Sequence, residues 1–191
     1  MKDEVMARPT LQTKLTNPVR VVAFELETTG LSIQHGARIV EVGGLEIVLE
    51  KITGRSFHSY CNPESLMDEA TIRRLGRLTA ERIAAAPTFS EIADGLIRFV
   101  GDATLVIHNA PFALHFLDAE LERFGRPSMI GPGSTVDTLR MAKQKGLEHC
   151  SLPGICKYYG IAFERPADVR QTIQAVAQAY LAMKQDSSRT T

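Results

Sequence analysis

The chain carries no excess charge of either sign: among its 191 residues Lys plus Arg and Asp plus Glu both number 22. A uniformly basic surface that would draw the protein to a polyanion is therefore excluded, and any contact with nucleic acid must be local. Cysteine is sparse. The three thiols, Cys61, Cys150 and Cys156, are an odd number with no CxxC pair. Neither a disulfide framework nor a zinc site is indicated, and reduced thiols inside the fold are expected. Long apolar runs are missing too. Nowhere do about 18 apolar residues follow one another, and residues 1–18 are mixed polar with no apolar signal-type core. No membrane partner is expected, and a cytoplasmic location is. Repeats and low-complexity tracts are also absent.

What is present is ordinary globular composition, with 44% apolar and 23% charged residues, at a length suited to one domain. The expected division is a polar segment over residues 1–18, a domain over 19–184 and a polar tail over 185–191. Val19 to Leu26, read as VRVVAFEL, has the β-branched and aromatic make-up of a buried central strand. Arg38 to Glu50 and Ser56 to Cys61 read as two further strands, with Thr53-Gly54 as the tight turn between them. Short helices are expected near Glu69 to Leu75 and after Thr79. Thr88-Phe-Ser-Glu91 is a capping box, and Ile92, Leu96, Phe99 and Val100 follow at helical spacing. Thr104 to Ile107 reads as a strand leading into a helix that has Pro111 at its start and runs to about Phe124. Asp137 and Ser151 are expected to cap helices to Lys145 and Tyr159, and a last helix covers about Asp168 to Lys184. The pattern points to an α/β fold, a mixed sheet with helices packed on it.

Side chains two apart on a strand share a face, so Glu25 and Glu27 leave the end of the first strand together, as a pair able to hold a divalent ion. Solvated charge at a strand exit explains the same pair equally well. The surroundings add weight: Phe24-Glu25-Leu26-Glu27-Thr28-Thr29-Gly30-Leu31 resembles the first motif of the DEDD-type 3′-to-5′ exonucleases, Asp-x-Glu-Thr-Thr-Gly. Arg38-Ile39-Val40-Glu41-Val42-Gly43 is similar to that family's second strand, and Val106-Ile107-His108-Asn109-Ala110-Pro111-Phe112 to its second motif. The resemblance spans about Val19 to Met183 and includes the proofreading epsilon type of bacterial polymerase subunit. It implies a ribonuclease H-like fold, a five-stranded mixed sheet flanked by helices, with the site at the end of the first strand.

The resemblance also implies two Mg²⁺ ions held by four carboxylates, with a histidine as base. Here the first position is Glu25, one methylene longer than aspartate, and the second, Glu27, is retained. The third is Ala113, which offers no oxygen. Counting back from Tyr180-Leu181-Ala182-Met183 places Ala167 at the base and Thr172 at the fourth carboxylate, and no histidine follows His149. Catalysis by that mechanism is expected to be lost, with no cofactor needed; Mg²⁺ or Mn²⁺ would serve only residual activity. Asp168, four residues before Thr172, is the one candidate substitute ligand. Thr28, Thr29, Gly30, Asn109 and Phe112 are candidates for a surviving groove around a nucleic-acid 3′ end, although tight turns and helix starts explain them as well.

Bland readings suit the rest. His115 points away from Ala113, His108 is a structural hydrogen-bonder, Asp137 is a cap, and Arg73, Arg74, Arg77 and Arg82 form a solvated face. The expected partners are the 3′ end of single-stranded DNA or RNA, or a protein such as a polymerase. Three outcomes remain open: a binding pseudo-exonuclease, a slow exonuclease with a rearranged metal site, and a scaffold. The closing residues carry no evident clamp-binding peptide, which weakens a direct replisome role.

Overall fold

The computed structural model of the chain describes residues 19–75, 78–128, 135–164 and 168–188. The expected central strand is β1, Arg20–Thr28. It pairs antiparallel with β2, Ile39–Val48, which pairs antiparallel with β3, Lys51–Tyr60. On its other side β1 pairs parallel with β4, Thr104–Ile107, which pairs parallel with β5, Thr135–Asp137. The result is the five-stranded mixed sheet, ordered β3-β2-β1-β4-β5.

Alternation along β1 divides the core into two layers, because successive side chains leave opposite faces of a strand. Val22, Phe24 and Leu26 pack with Leu96 and Phe99 of α3, Phe89–Val100, and with Phe116, Leu117 and Leu121 of α4, Ala110–Arg123. Val21 and Ala23 face the other way. They join Leu45, Ile47 and Val106 against Ile155 and Cys156 of α6, Leu152–Tyr159, and Ile173, Val176, Tyr180 and Met183 of α7, Val169–Ser188. Each large apolar side chain so buried stabilises by about 1.5–3 kcal/mol. A small third cluster joins Val40 to Leu75 of α1, Glu69–Leu75, and to Leu78 and to Ile83 of α2, Ala80–Ala84. Among the described residues no helix is long and apolar enough to cross a membrane.

The local capping signals operate as read. The Glu91 carboxylate accepts the Thr88 N–H at 2.7 Å, and Ser151 Oγ accepts from the Gly154 N–H at 3.3 Å. Asp137 caps α5, Thr138–Gln144, through the Leu139 N–H at 2.9 Å. Its Oδ1 also accepts the Asn109 N–H at 3.0 Å. One carboxylate thereby fixes the starts of both α5 and α4, and it holds Asn109 in the left-handed region, φ 63°.

Two expectations are corrected, and one strand has no sequence signal of its own. The turn between β2 and β3 is not Thr53-Gly54. Leu49 and Glu50 make it, both left-handed at φ 50° and 59°, as a two-residue hairpin between right-twisting strands requires. Gly54, φ 85°, instead serves an irregularity inside β3, where pairing passes from Leu45↔Ser56 to Ile47↔Ile52. The last helix continues past Lys184 to Ser188, because Asp186 Oδ2 accepts from Lys145 Nζ at 3.2 Å and from Tyr159 Oη at 3.0 Å. Lastly, β5 has only three residues. That is too short for an alternating pattern to reveal.

Candidate active site

Glu25 and Glu27 are half-buried near the end of β1, on the face that α7 covers. Glu25 Oε1 accepts the Leu26 N–H at 2.9 Å. In the sheet register Glu25 lies opposite Gly43, and a Cβ on Gly43 would stand 2.6 Å from Val169 Cγ1 and 3.4 Å from Ile173 Cδ1. The first turn of α7 therefore rests on the strand position next to Glu25. Thr172 lies in that turn and is 6% exposed.

Asp168 is the cap of α7. Its Oδ1 accepts the Gln171 N–H at 2.7 Å, and Gln171 Oε1 returns the bond by accepting the Asp168 N–H at 2.9 Å. Its other oxygen lies 3.7 Å from Arg170 Nη2. One oxygen of the expected substitute ligand thus caps a helix terminus, where a carboxylate also complements the helix dipole. Ala167 lies outside the described residues.

Ala113 is 1% exposed within the apolar cluster that also holds Phe24, Leu26, Phe116 and Leu117. That layer is the face of β1 opposite Glu25 and Glu27. The strand position of Glu25 lies beside the start of α7, and Ala113 is packed in apolar surroundings in the first turn of α4. His115 is exposed and His108 Nδ1 lies 3.1 Å from Thr138 Oγ1. His108 matches its reading as a structural hydrogen-bonder, whereas His115, expected to pack, is exposed with its ring 6.4 Å from that of Phe116. Arg73 pairs with Glu69 at 3.1 Å on the exposed side of α1, and Arg82 lies over the Tyr60 ring, 4.3 Å from its centroid. Arg77 and the Arg74 side chain are outside the described residues.

The groove candidates separate into two places. Thr29 and Gly30 line a cleft of about 520 Å³ between the loop ending at Ala37 and the segment Ser65–Thr71. Thr28 is buried beneath it and donates Oγ1–H to the Gly30 carbonyl at 2.6 Å. Leu31 and Leu66, both largely exposed, stand on its two walls. Thr71 N–H and Oγ1 hydrogen bonds hold the Asp68 carboxyl below its usual range. Asn109 and Phe112 lie instead at the start of α4, where the Phe112 ring packs 4.9 Å from that of Phe116.

Two polar groups escaped the sequence reading. Glu41 is fully buried directly opposite Glu27 in the sheet, and its Oε1 lies 2.8 Å from His58 Nε2. Two-residue alternation with the strand register would have revealed it, since Glu27 and Glu41 share a face. Glu120 of α4, 1% exposed, takes a two-pronged bond from Arg38, Nε to Oε1 at 2.7 Å and Nη2 to Oε2 at 2.9 Å. No local signal announces that pair.

Mg²⁺ and Mn²⁺ favour near-octahedral oxygen coordination. Of the four positions that the resemblance assigns to metal ligands, two carry carboxylates here, one a methyl group and one a hydroxyl. Among the described residues no three His, Cys, Asp or Glu side chains group as a metal site. The side chains at those positions do not fit a two-ion centre.

The sheet order, its two helical layers and the Glu-x-Glu at the end of the central strand define a ribonuclease H-like exonuclease fold. The chain belongs to the exonuclease family of the RNase T type, whose sequence model matches residues 22–175. It is 38% identical over 147 residues to the DNA polymerase III subunit epsilon of Rickettsia prowazekii, covering 75% of this chain and 63% of that protein. To the epsilon subunit of Escherichia coli K12 it is 32% identical over 174 residues, 86% of this chain and 71% of that one. The chain thus spans less than two thirds of the Rickettsia relative's length. Among solved structures, the nuclease domain of 3′hExo, a DEDDh family member bound to rAMP, superposes with TM-score 0.75 at 15% identity, covering 88% of this chain and 93% of that one. The zinc-bound E. coli exonuclease I complex with single-stranded DNA gives TM-score 0.75 at 16% identity, over 91% and 42%. Those two likenesses are of fold alone.

Proposed function

We propose that this chain is an exonuclease-family domain that binds the 3′ end of single-stranded nucleic acid without cutting it. One observation carries the reading. Where the resemblance calls for a metal-binding aspartate there is Ala113, a methyl group 1% exposed in apolar packing. Thr172, at the fourth ligand position, can offer only a hydroxyl, and no histidine follows His149 to serve as base. A positioned base alone is worth about 10²–10⁴ in rate. Thr29 and Gly30 supply the surviving cleft wall. A rearranged centre using Asp168 is disfavoured, since that carboxylate caps α7. A polymerase as protein partner belongs to the same proposal, on the strength of the relatives being polymerase subunits.

The test uses a 5′-labelled single-stranded DNA and its RNA counterpart. On a gel with Mg²⁺ or Mn²⁺ no shortening above background is expected, while fluorescence anisotropy should register binding that weakens with salt. Shortening that disappears in Glu27→Gln would overturn the loss of catalysis. Absence of binding to both strands would overturn the binding half.

A further inference from the structure

The two walls of the cleft are attached to the core very differently. The loop over residues 29–38 is closed on itself, with the Thr29 N–H donating to the Arg38 carbonyl at 2.8 Å and the Arg38 N–H to Thr29 Oγ1 at 2.9 Å. Its far end is fastened deep in the protein, because Arg38, its side chain 14% exposed, forks onto Glu120, 1% exposed. Glu120 also takes the Ile39 N–H at 3.3 Å and Arg123 Nη1 at 3.1 Å. Hydrogen bonding to Glu120 raises the Arg38 pKa above its ordinary value, so the guanidinium stays charged.

The opposite wall, Ser65–Thr71, packs Met67 against the Val40, Leu75 and Ile83 cluster, and its polar ties to the first wall are long. Glu64, which precedes it, reaches Arg38 Nη2 through Oε2 at 3.4 Å, with its side chain 48% exposed. Thr71 Oγ1 meets the Thr29 carbonyl at 3.4 Å. Glu64 is left-handed, φ 54°, a conformation uncommon for residues other than glycine. Its N–H donates to Asn62 Oδ1 at 2.9 Å. Long, half-exposed contacts of this kind are weak, whereas a buried two-pronged pair is hard to break.

We propose that the Arg38–Glu64 pair is a releasable latch on this cleft. Arg38 is the fixed post, held to α4 by Glu120, and Glu64 is the movable half whose release lets the Ser65–Thr71 wall swing. The loop over 29–38 stays in place. Arg38 is thus a positioning residue, and entry of a ligand into the cleft is governed from one side.

Hydrogen–deuterium exchange on the full chain tests this, comparing peptides over 28–39 and 62–72 in wild type and in Glu64→Gln. The variant is expected to exchange about twofold to fivefold faster over 62–72, the size of an exposed ion pair. Over 28–39 it should change by less than about twofold, since Glu120 still holds Arg38. Raising NaCl from about 0.05 to 0.5 M should loosen 62–72 in wild type and leave the variant unmoved, because screening acts on exposed charge pairs. Equal exchange in both proteins, or equal loosening of both walls, would overturn the latch. The purpose of the latch rests on the binding reading, but this measurement needs no nucleic acid. Failure of oligonucleotide binding would strike that reading alone.

Discussion

Val169 stands on Gly43: a methyl group added at Gly43 would come within 2.6 Å of Val169 Cγ1 and 3.6 Å of the Phe57 carbonyl. The contact seats α7 on the sheet beside Glu25, so the absence of a side chain at one strand position sets the depth of the whole helix. Gly43→Ala should therefore destabilise by about 1–3 kcal/mol through overpacking. The melting temperature should fall about 2–4 °C for each kcal/mol. Adding Val169→Ala should recover part of the loss, and a double-mutant cycle that shows strict additivity would contradict the contact.

Removing one partner of the Arg38–Glu120 pair leaves a charge with little access to water. Glu120→Ala should cost about 3–5 kcal/mol in urea unfolding. Replacing both residues, as Arg38→Met with Glu120→Leu, should cost less, because the most buried charge leaves with its partner and only Arg123, 35% exposed, and the Ile39 N–H lose Glu120.

Stability should respond to pH on both limbs. The Arg20 Nε–H at 2.6 Å holds Glu46 below the usual carboxylate value of 4.5. A group depressed in the folded state stabilises above its unfolded pKa, and that share is lost as pH falls through the lower folded value. Urea midpoints should therefore drop in acid below about pH 4.5, and the drop should shrink in Glu46→Gln. On the alkaline side burial pushes the Cys61 thiol from 9.0 up to about 12. Its contribution is present below pH 9.0 and fades toward 12 as the unfolded chain ionises first. Native protein at pH 8 should accordingly leave Cys61 and Cys156, both buried, unalkylated by iodoacetamide until unfolding.

Restoration tests the family register itself. Glu25→Asp, Ala113→Asp, Ala167→His and Thr172→Asp together should create metal-dependent shortening of a labelled oligonucleotide, while no single change should suffice, since residues acting as a unit are strongly non-additive. Without metal, Thr172→Asp adds negative charge to the α7 side of the sheet, the side of Glu25 and Glu27, and Ala113→Asp buries a carboxylate in apolar packing, and both destabilise. Mg²⁺ should raise the melting temperature of the quadruple variant and leave the parent nearly unchanged. A folded variant showing neither effect would mean that the groove has drifted along with the ligands.

How much was legible depended on range. The capping of α3 by Thr88 and Glu91, and of α5 by Asp137, could be read because donor and acceptor lie within three residues of each other. The β2–β3 turn was misplaced because glycine is the usual left-handed residue, whereas Leu49 and Glu50 take that conformation under the closure of two paired strands. β5 was invisible because its pairing with β4, not its composition, makes it a strand.

The site divides in the same way. Which chemical groups stand at the motif positions is a property of the chain: Glu25 and Glu27 carry carboxylates, Ala113 and Thr172 do not, and no folding can supply an oxygen to a methyl group. What those groups face was decided by the tertiary structure. Glu41 meets His58 across 17 residues, and Arg38 meets Glu120 across 82. Asp168, read as a substitute ligand, gives one oxygen to the cap of α7. Local chemistry is written in neighbouring residues, but the partner of a buried charge is chosen by whichever distant element the hydrophobic packing of the sheet brings against it.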